Sequence, residues 1–112
     1  MFHMLSSFNI KAGIPIDDVV IAMQEFTDHL LNLDLITSAD PIGRRDRDTI
    51  LDTDDAREHE YFHIMHFRNK AQSESAVQFI LSRQQPEASI HIGVYSKLED
   101  MVFTCWQDCP ES

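Results

Sequence analysis

The stretch "EHEYFHIMHF", residues 58–67, holds three of the chain's six histidines: His59, His63 and His66. Wound as a helix, the three fall on one face at i, i+4 and i+7, and a metal site follows. Extended as a strand, His59 and His63 share a face and His66 points to the other. Asp52, Asp54 and Asp55 before the stretch, with Arg68 and Lys70 after it, resemble helix-end charges. Three features weigh for the strand. Tyr61, Phe62, Ile64 and Phe67 favour extended structure in a short run. Asn69 opens a new helix at once, leaving no connecting turn. The strands at the two ends of the chain also need central partners, because two strands alone do not make a stable sheet. The strand reading puts Tyr61, His63, Met65 and Phe67 on one face and Phe62, Ile64 and His66 on the other. The metal trio dissolves, and no metal site is expected.

Working outward, Phe2, Met4, Phe8 and Ile10 of "MFHMLSSFNI" recur with period two, which predicts a first strand. Gly13 and Pro15 then break the chain. From Ile16 to Asp34 the period becomes helical, through Val19, Met23, Phe26, Leu30 and Leu33, with Asp17 and Asp18 in the first turn. "LITSADPIGRR" reads as an extended segment interrupted by Pro41 and Gly43, and "DRDTILDTDDAR" as a loop. After the histidine stretch, Asn69 and Gln72 predict a reciprocal capping box opening a helix that Pro86 ends. "ASIHIGVYSKLED" fits a helix carrying His91, Val94, Tyr95 and Leu98 or a strand alternating Ile90, Ile92 and Val94, with the helix slightly preferred. "MVFTCW", 101–106, is a closing strand.

With 112 residues, the chain is expected to form one domain spanning 1–112. A net charge of -10, from nineteen acids against nine Lys and Arg, excludes nucleic acid and anionic membrane surfaces as partners. No secretory signal or run of ~18 apolar residues is visible. Cys105 and Cys109, if in one strand, lie ~13 Å apart and cannot bridge, so free thiols and a cytoplasmic location are expected. "DTDD" lacks the glycine and distal glutamate of a calcium loop and reads as a solvated charge run. Phosphate cradles and the G-x-S-x-G elbow are missing.

The order reached is β-α-β-β-α-(short element)-β, an α+β, ferredoxin-like βαββαβ plan with an antiparallel sheet. In this order, and more narrowly in "PIGRR" (41–45), "DTDDAREHEYF" (52–62) and "VFTCWQD" (102–108), the chain resembles the dimeric α+β barrel superfamily and an uncharacterised bacterial family of similar length. The resemblance implies a homodimer whose two sheets pack into a barrel, with ligands held between sheet and helices. Members range from cofactor-independent oxygenases and isomerases to haem-degrading and stress-response proteins. The haem branch is matched poorly: Asn9 could stand for its first-strand asparagine, but its central-strand tryptophan has no counterpart, since Trp106 lies on the last strand. No cofactor is expected.

Two functions follow. In the first, a small apolar or aromatic molecule is bound or transformed, as by a cofactor-independent oxygenase or isomerase. His63 would be the general base, Tyr61 or Asn9 would hold an oxygen, Trp106 would stack on a ring, and Arg44 or Arg45 would attract a carboxylate. In the second, the protein is a non-catalytic homodimeric structural or protein-interaction module. Its apolar sheet faces would serve self-association, and its arginines would pair with aspartates across the dimer.

Overall fold

The structure is a computed structural model and describes residues 1–82 and 87–110. Its elements are β1 (Phe2–Ile10), α1 (Ile16–Asn32), β2 (Ser38–Ala39), β3 (Gly43–Arg44), β4 (Tyr61–Phe67), α2 (Lys70–Leu81), α3 (Glu87–Tyr95) and β5 (Leu98–Gln107). β1 lies between β4 and β5, antiparallel to both, and β2 and β3 both pair with β4. β2 and β3 therefore act as one edge strand interrupted near Pro41, whose missing N–H confines it to such an edge. The resulting order, β2/β3–β4–β1–β5, is the antiparallel ferredoxin-like sheet. The histidine stretch is extended from Tyr61 and occupies an interior position.

Register fixes the two faces. Phe2, Met4, Ser6 and Phe8 oppose Phe67, Met65, His63 and Tyr61 on the inner face. The helical stripe of α1, with Val19, Met23, Phe26 and Leu30 all buried, joins the core formed with Phe8, Met65 and Phe67. Each such side chain contributes roughly 1.5–3 kcal/mol by leaving water. His3, Leu5 and Ser7 oppose His66, Ile64 and Phe62 on the outer face, which none of the described helices covers.

Several details depart from the sequence expectations. α1 ends at Asn32, not Asp34, because Asp34 turns left-handed (φ 56°) and the Leu35 N–H closes on the Leu30 carbonyl at 2.9 Å. The cap of α2 is one-sided. Asn69 Oδ1 accepts from the Gln72 N–H at 2.9 Å, but the Gln72 side chain does not return to Asn69. Its Oε1 instead accepts from the Arg68 N–H (2.7 Å) and the Thr37 hydroxyl (3.1 Å), and its Nε2 donates to the Asp34 carbonyl (3.0 Å). Gln72 is buried, so its amide takes the partners that the α1–β2 connection brings within reach. Residues 87–95 are helical, as preferred. β5 begins at Leu98 rather than Met101, because Leu98 and Glu99 extend the ladder with Ile10 and Asn9 beyond an irregularity at Ser7/Asn9. The break expected at Pro86 lies outside the described residues. No helix among those described is long and apolar enough to cross a membrane.

Candidate functional site

His63 on β4 and Ser6 on β1 face each other across the ladder, each only 2% exposed. His63 Nδ1 and Ser6 Oγ are buried without a well-formed hydrogen bond. Burial drives the His63 imidazole down to about 4, against the upward pull of the Asp40 carboxylate and backbone carbonyl. His63 is therefore a neutral base at physiological pH. The Tyr95 phenol approaches Ser6 from the end of α3. Burial pushes it up to about 12, with Ser6 opposing the shift. Three uncharged hydrogen-bonding groups thus meet beneath the helices, and a buried polar group without a partner is costly in an apolar interior.

Tyr95 also lines a cleft of about 480 Å³ between the inner sheet face and the helices. Phe2, Met4, Met65 and Phe67 line it from the sheet, and Phe26 and Leu30 from α1. Phe103 and Cys105 line it from β5, and Val77 and Leu81 from α2, all four of them exposed. His91 packs against Tyr95 with ring centroids 4.6 Å apart and against Phe26 at 5.6 Å, and burial lowers its basicity. The volume suits a small organic molecule, and mainly apolar walls with a few polar groups are what such ligands require. No lining side chain carries a formal charge when His91 is neutral, so an anion would lose its hydration without compensation.

The residues predicted from sequence do not meet in one place. Tyr61 stacks on Phe8 (5.9 Å, 17° between planes), and the Arg44 guanidinium lies 5.9 Å above the Tyr61 ring. Arg44 is exposed on β3 opposite Tyr61, and His63 lies beneath the helices without lining the cleft. Asn9 acts as a clamp: its Oδ1 accepts from the Glu60 N–H and its Nδ2 donates to Asp100. Trp106 lies on the outer face, stacked on His3. His59, just ahead of β4, is half-buried with Nε2 2.7 Å from the Asp100 carbonyl. Ser6, His91, Tyr95 and Cys105 were not singled out from sequence as site residues. The i, i+4 spacing of His91 and Tyr95 was the one available signal, and it depended on reading 89–98 as helix.

The acidic loop is organised from within. Arg45, its side chain 5% exposed, forms a two-pronged ion pair with Asp52 at 2.7 and 2.8 Å and donates to the Arg57 carbonyl. Arg57 pairs with Asp54 and Arg47 with Glu60. The pairing expected across a dimer is therefore satisfied inside one chain, since the hairpin-like return of residues 45–60 brings these partners together. Hydrogen bonds from Arg45 and Arg57 hold Asp52 and Asp54, respectively, below the usual carboxylate range.

Similar proteins are found only at the level of structure. No protein-family model matches the chain, and no curated protein matches it significantly. Solved structures do. An Arabidopsis thaliana protein superposes with a TM-score of 0.70 at 8% identity, covering 99% of this chain and 97% of its own. A dimeric ferredoxin-like protein of unknown function from Jannaschia sp. CCS1 gives 0.66 at 13% identity, covering 96% and 98%. A hydroxynitrile lyase from Passiflora edulis gives 0.63 at 12% identity, covering 94% and 90%. The architecture and these likenesses agree on the expected fold: the chain has a ferredoxin-like α+β fold.

Proposed function

We propose that residues 1–112 act as one cytoplasmic domain that pairs into a homodimer and binds a small, neutral, apolar or aromatic molecule in the inner cleft. The observation that carries this reading is the cleft of about 480 Å³, apolar along its walls and lined by Tyr95, whose phenol contacts Ser6 opposite His63. Walls of Phe, Met and Leu supply affinity by excluding water. The neutral phenol can donate to one ligand oxygen, and neutral His63 can accept a proton once the ligand or a water bridges to it. That pairing supports a proton-transfer reaction of the isomerase or lyase type. The likeness to a hydroxynitrile lyase, named for a small uncharged substrate class bearing a hydroxyl, supports the same ligand class.

The homodimer is supported by the outer sheet face. Val102 and Trp106 are 48% and 40% exposed there, beside half-buried Leu5, Phe62 and Ile64. An apolar sheet face needs a covering layer, and the similar Jannaschia protein is dimeric. The same face supports the second reading, a non-catalytic module. Native mass spectrometry with a thermal-shift series of benzyl alcohol, benzaldehyde, toluene and benzoate separates the two. The cleft reading requires a saturable rise in Tm with the neutral oxygen-bearing compounds, reduced by Tyr95→Phe and weak for benzoate. A dimer that responds to none of them leaves the structural module standing. Benzoate binding as tightly as benzyl alcohol would refute the uncharged site.

A further inference from the structure

The outer sheet face carries a second cluster of chemistry-bearing side chains, independent of the inner cleft. His3 and His66 oppose each other across β1 and β4, with their Nδ1 atoms 2.7 Å apart and their rings edge to face at 84°. Each ring is backed by a carboxylate. His3 Nε2 lies 2.6 Å from Asp108 Oδ1, and His66 Nε2 lies 3.1 Å from Asp40 Oδ1. The second Asp108 oxygen is 3.1 Å from the Met1 amine, and the hydrogen bond from His3 is the main cause holding this carboxyl below its ordinary range.

An ionised carboxylate only accepts, so each Nε2 must carry its ring's hydrogen to make these contacts. The two Nδ1 atoms, 2.7 Å apart, then either share one proton as an N–H···N hydrogen bond or, with both rings neutral, offer two lone pairs to a metal cation at their rim. An imidazole whose far N–H is held by a carboxylate is also the arrangement that orients metal-binding histidines and raises their basicity. Metal–nitrogen bonds of about 2.0–2.1 Å set the two nitrogens about 2.9 Å apart at a right angle and about 3.3 Å apart at a tetrahedral one. The observed 2.7 Å is shorter than both, so the rings must part by a few tenths of an ångström to take a metal, and the right-angled geometry of tetragonal copper(II) or nickel(II) asks the smaller movement.

We propose that His3 and His66 bind a divalent transition metal, preferentially copper(II), through their Nδ1 atoms, with Asp108 and Asp40 as the carboxylates that fix both rings. Among the described residues no group of three or more His, Cys, Asp or Glu is arranged to hold a metal ion. The chain therefore supplies two ligands, and water supplies the others. Trp106, the chain's one tryptophan, stacks on His3 at 5.1 Å and provides a built-in reporter.

The test is a titration of the metal-free full chain with copper(II) in a glycine-buffered solution at pH 7.5, read by Trp106 emission and electron paramagnetic resonance. One equivalent per chain should quench the emission saturably and give a tetragonal spectrum coupled to two imidazole nitrogens. His3→Gln and His66→Gln should each abolish that equivalent, and His29→Gln should retain it. Asp108→Asn should weaken binding about 10–100-fold while keeping the spectrum. Circular dichroism and elution volume establish that each variant folds. A signal lost with His3 but kept in His66→Gln would be a complex of the terminal amine and third residue, and would overturn the proposal. So would quenching that depends on pH and not on copper, which assigns the space between the rings to a shared proton.

Discussion

Lowering the pH from 7 to 5 should cost the fold about 2 kcal/mol through His63 alone. In the unfolded chain its imidazole returns to the ordinary histidine value of about 6.5, whereas burial holds it at about 4 in the fold. The folded value is depressed, so the stabilising contribution is complete above about 6.5 and is lost as the pH falls toward 4. Within that window the unfolded chain binds a proton that the folded chain refuses, and stability therefore rises with pH. At pH 5 the unfolded imidazole is almost wholly protonated and the folded one only about one-tenth so, which gives about 2 kcal/mol. The full effect approaches about 3 kcal/mol, at about 1.4 kcal/mol per pH unit. Urea unfolding at pH 7 and pH 5, at one fixed protein concentration, measures the loss. His63→Gln is the comparison, since its amide is uncharged at both values. His91, also lowered by burial, is present in both chains, so the difference between them isolates His63. The native chain should lose about 2 kcal/mol more than the variant. Equal losses would show that His63 is not held neutral by burial, and the uncharged polar group behind the cleft would go with it.

Gln72→Ala should cost roughly 1–3 kcal/mol in urea unfolding, because it strands the Arg68 N–H and the Asp34 carbonyl. Asn69→Ala removes only a cap and should cost about 1 kcal/mol; a larger loss for Asn69 would refute the reading of Gln72 as a tie between α1 and α2. Asp34→Gly should stabilise by up to about 1 kcal/mol by relieving a left-handed aspartate. Its exposed 3.6 Å pair with Arg68 offsets little, and a fall in Tm would count against this. Arg45→Ala should open the acidic loop to trypsin at Arg47 and Arg57, seen as early cleavage in timed digestion, while uncut kinetics would show that Arg45 does not organise it. Phe26→Ala should cost about 3–5 kcal/mol and let the cleft take bulkier ligands; a variant that kept native stability would place Phe26 outside the core.

Local periodicity was sufficient for the parts of the fold that depend on one segment at a time. The stripe of α1 is legible because Val19, Met23, Phe26 and Leu30 bury one helical face, and β4 because its neighbours left a sheet without interior strands. Residues 89–98 were ambiguous, since Ile90, Ile92 and Val94 also fit an alternating strand. Packing resolves it: Ile92 is 62% exposed while Val94 is fully buried, against the common face a strand would give them. The site was less legible because its pairings are set by register. His3 meets His66 across 63 positions, and Ser6 meets His63 three rungs further along, with no local pattern announcing either. Gln72 was misread for a related reason: its partners Thr37 and Asp34 belong to a connection that becomes adjacent only in the fold.

That same register explains how one strand serves two chemistries. His63 and His66 are separated by an odd number of residues, so the pleat sends one inward and one outward. Inward, His63 loses water without gaining a strong partner and becomes neutral. Outward, His66 meets a second imidazole and a carboxylate. A helix would have gathered both on one face with His59. A one-residue slip between β1 and β4 would instead bring Ser7 opposite His63 and Met4 opposite His66, dissolving the inner polar group and the outer histidine pair together. The rungs at buried Phe8 and at partly buried Phe2 and Met4, which oppose that slip, are therefore what hold both sites in place.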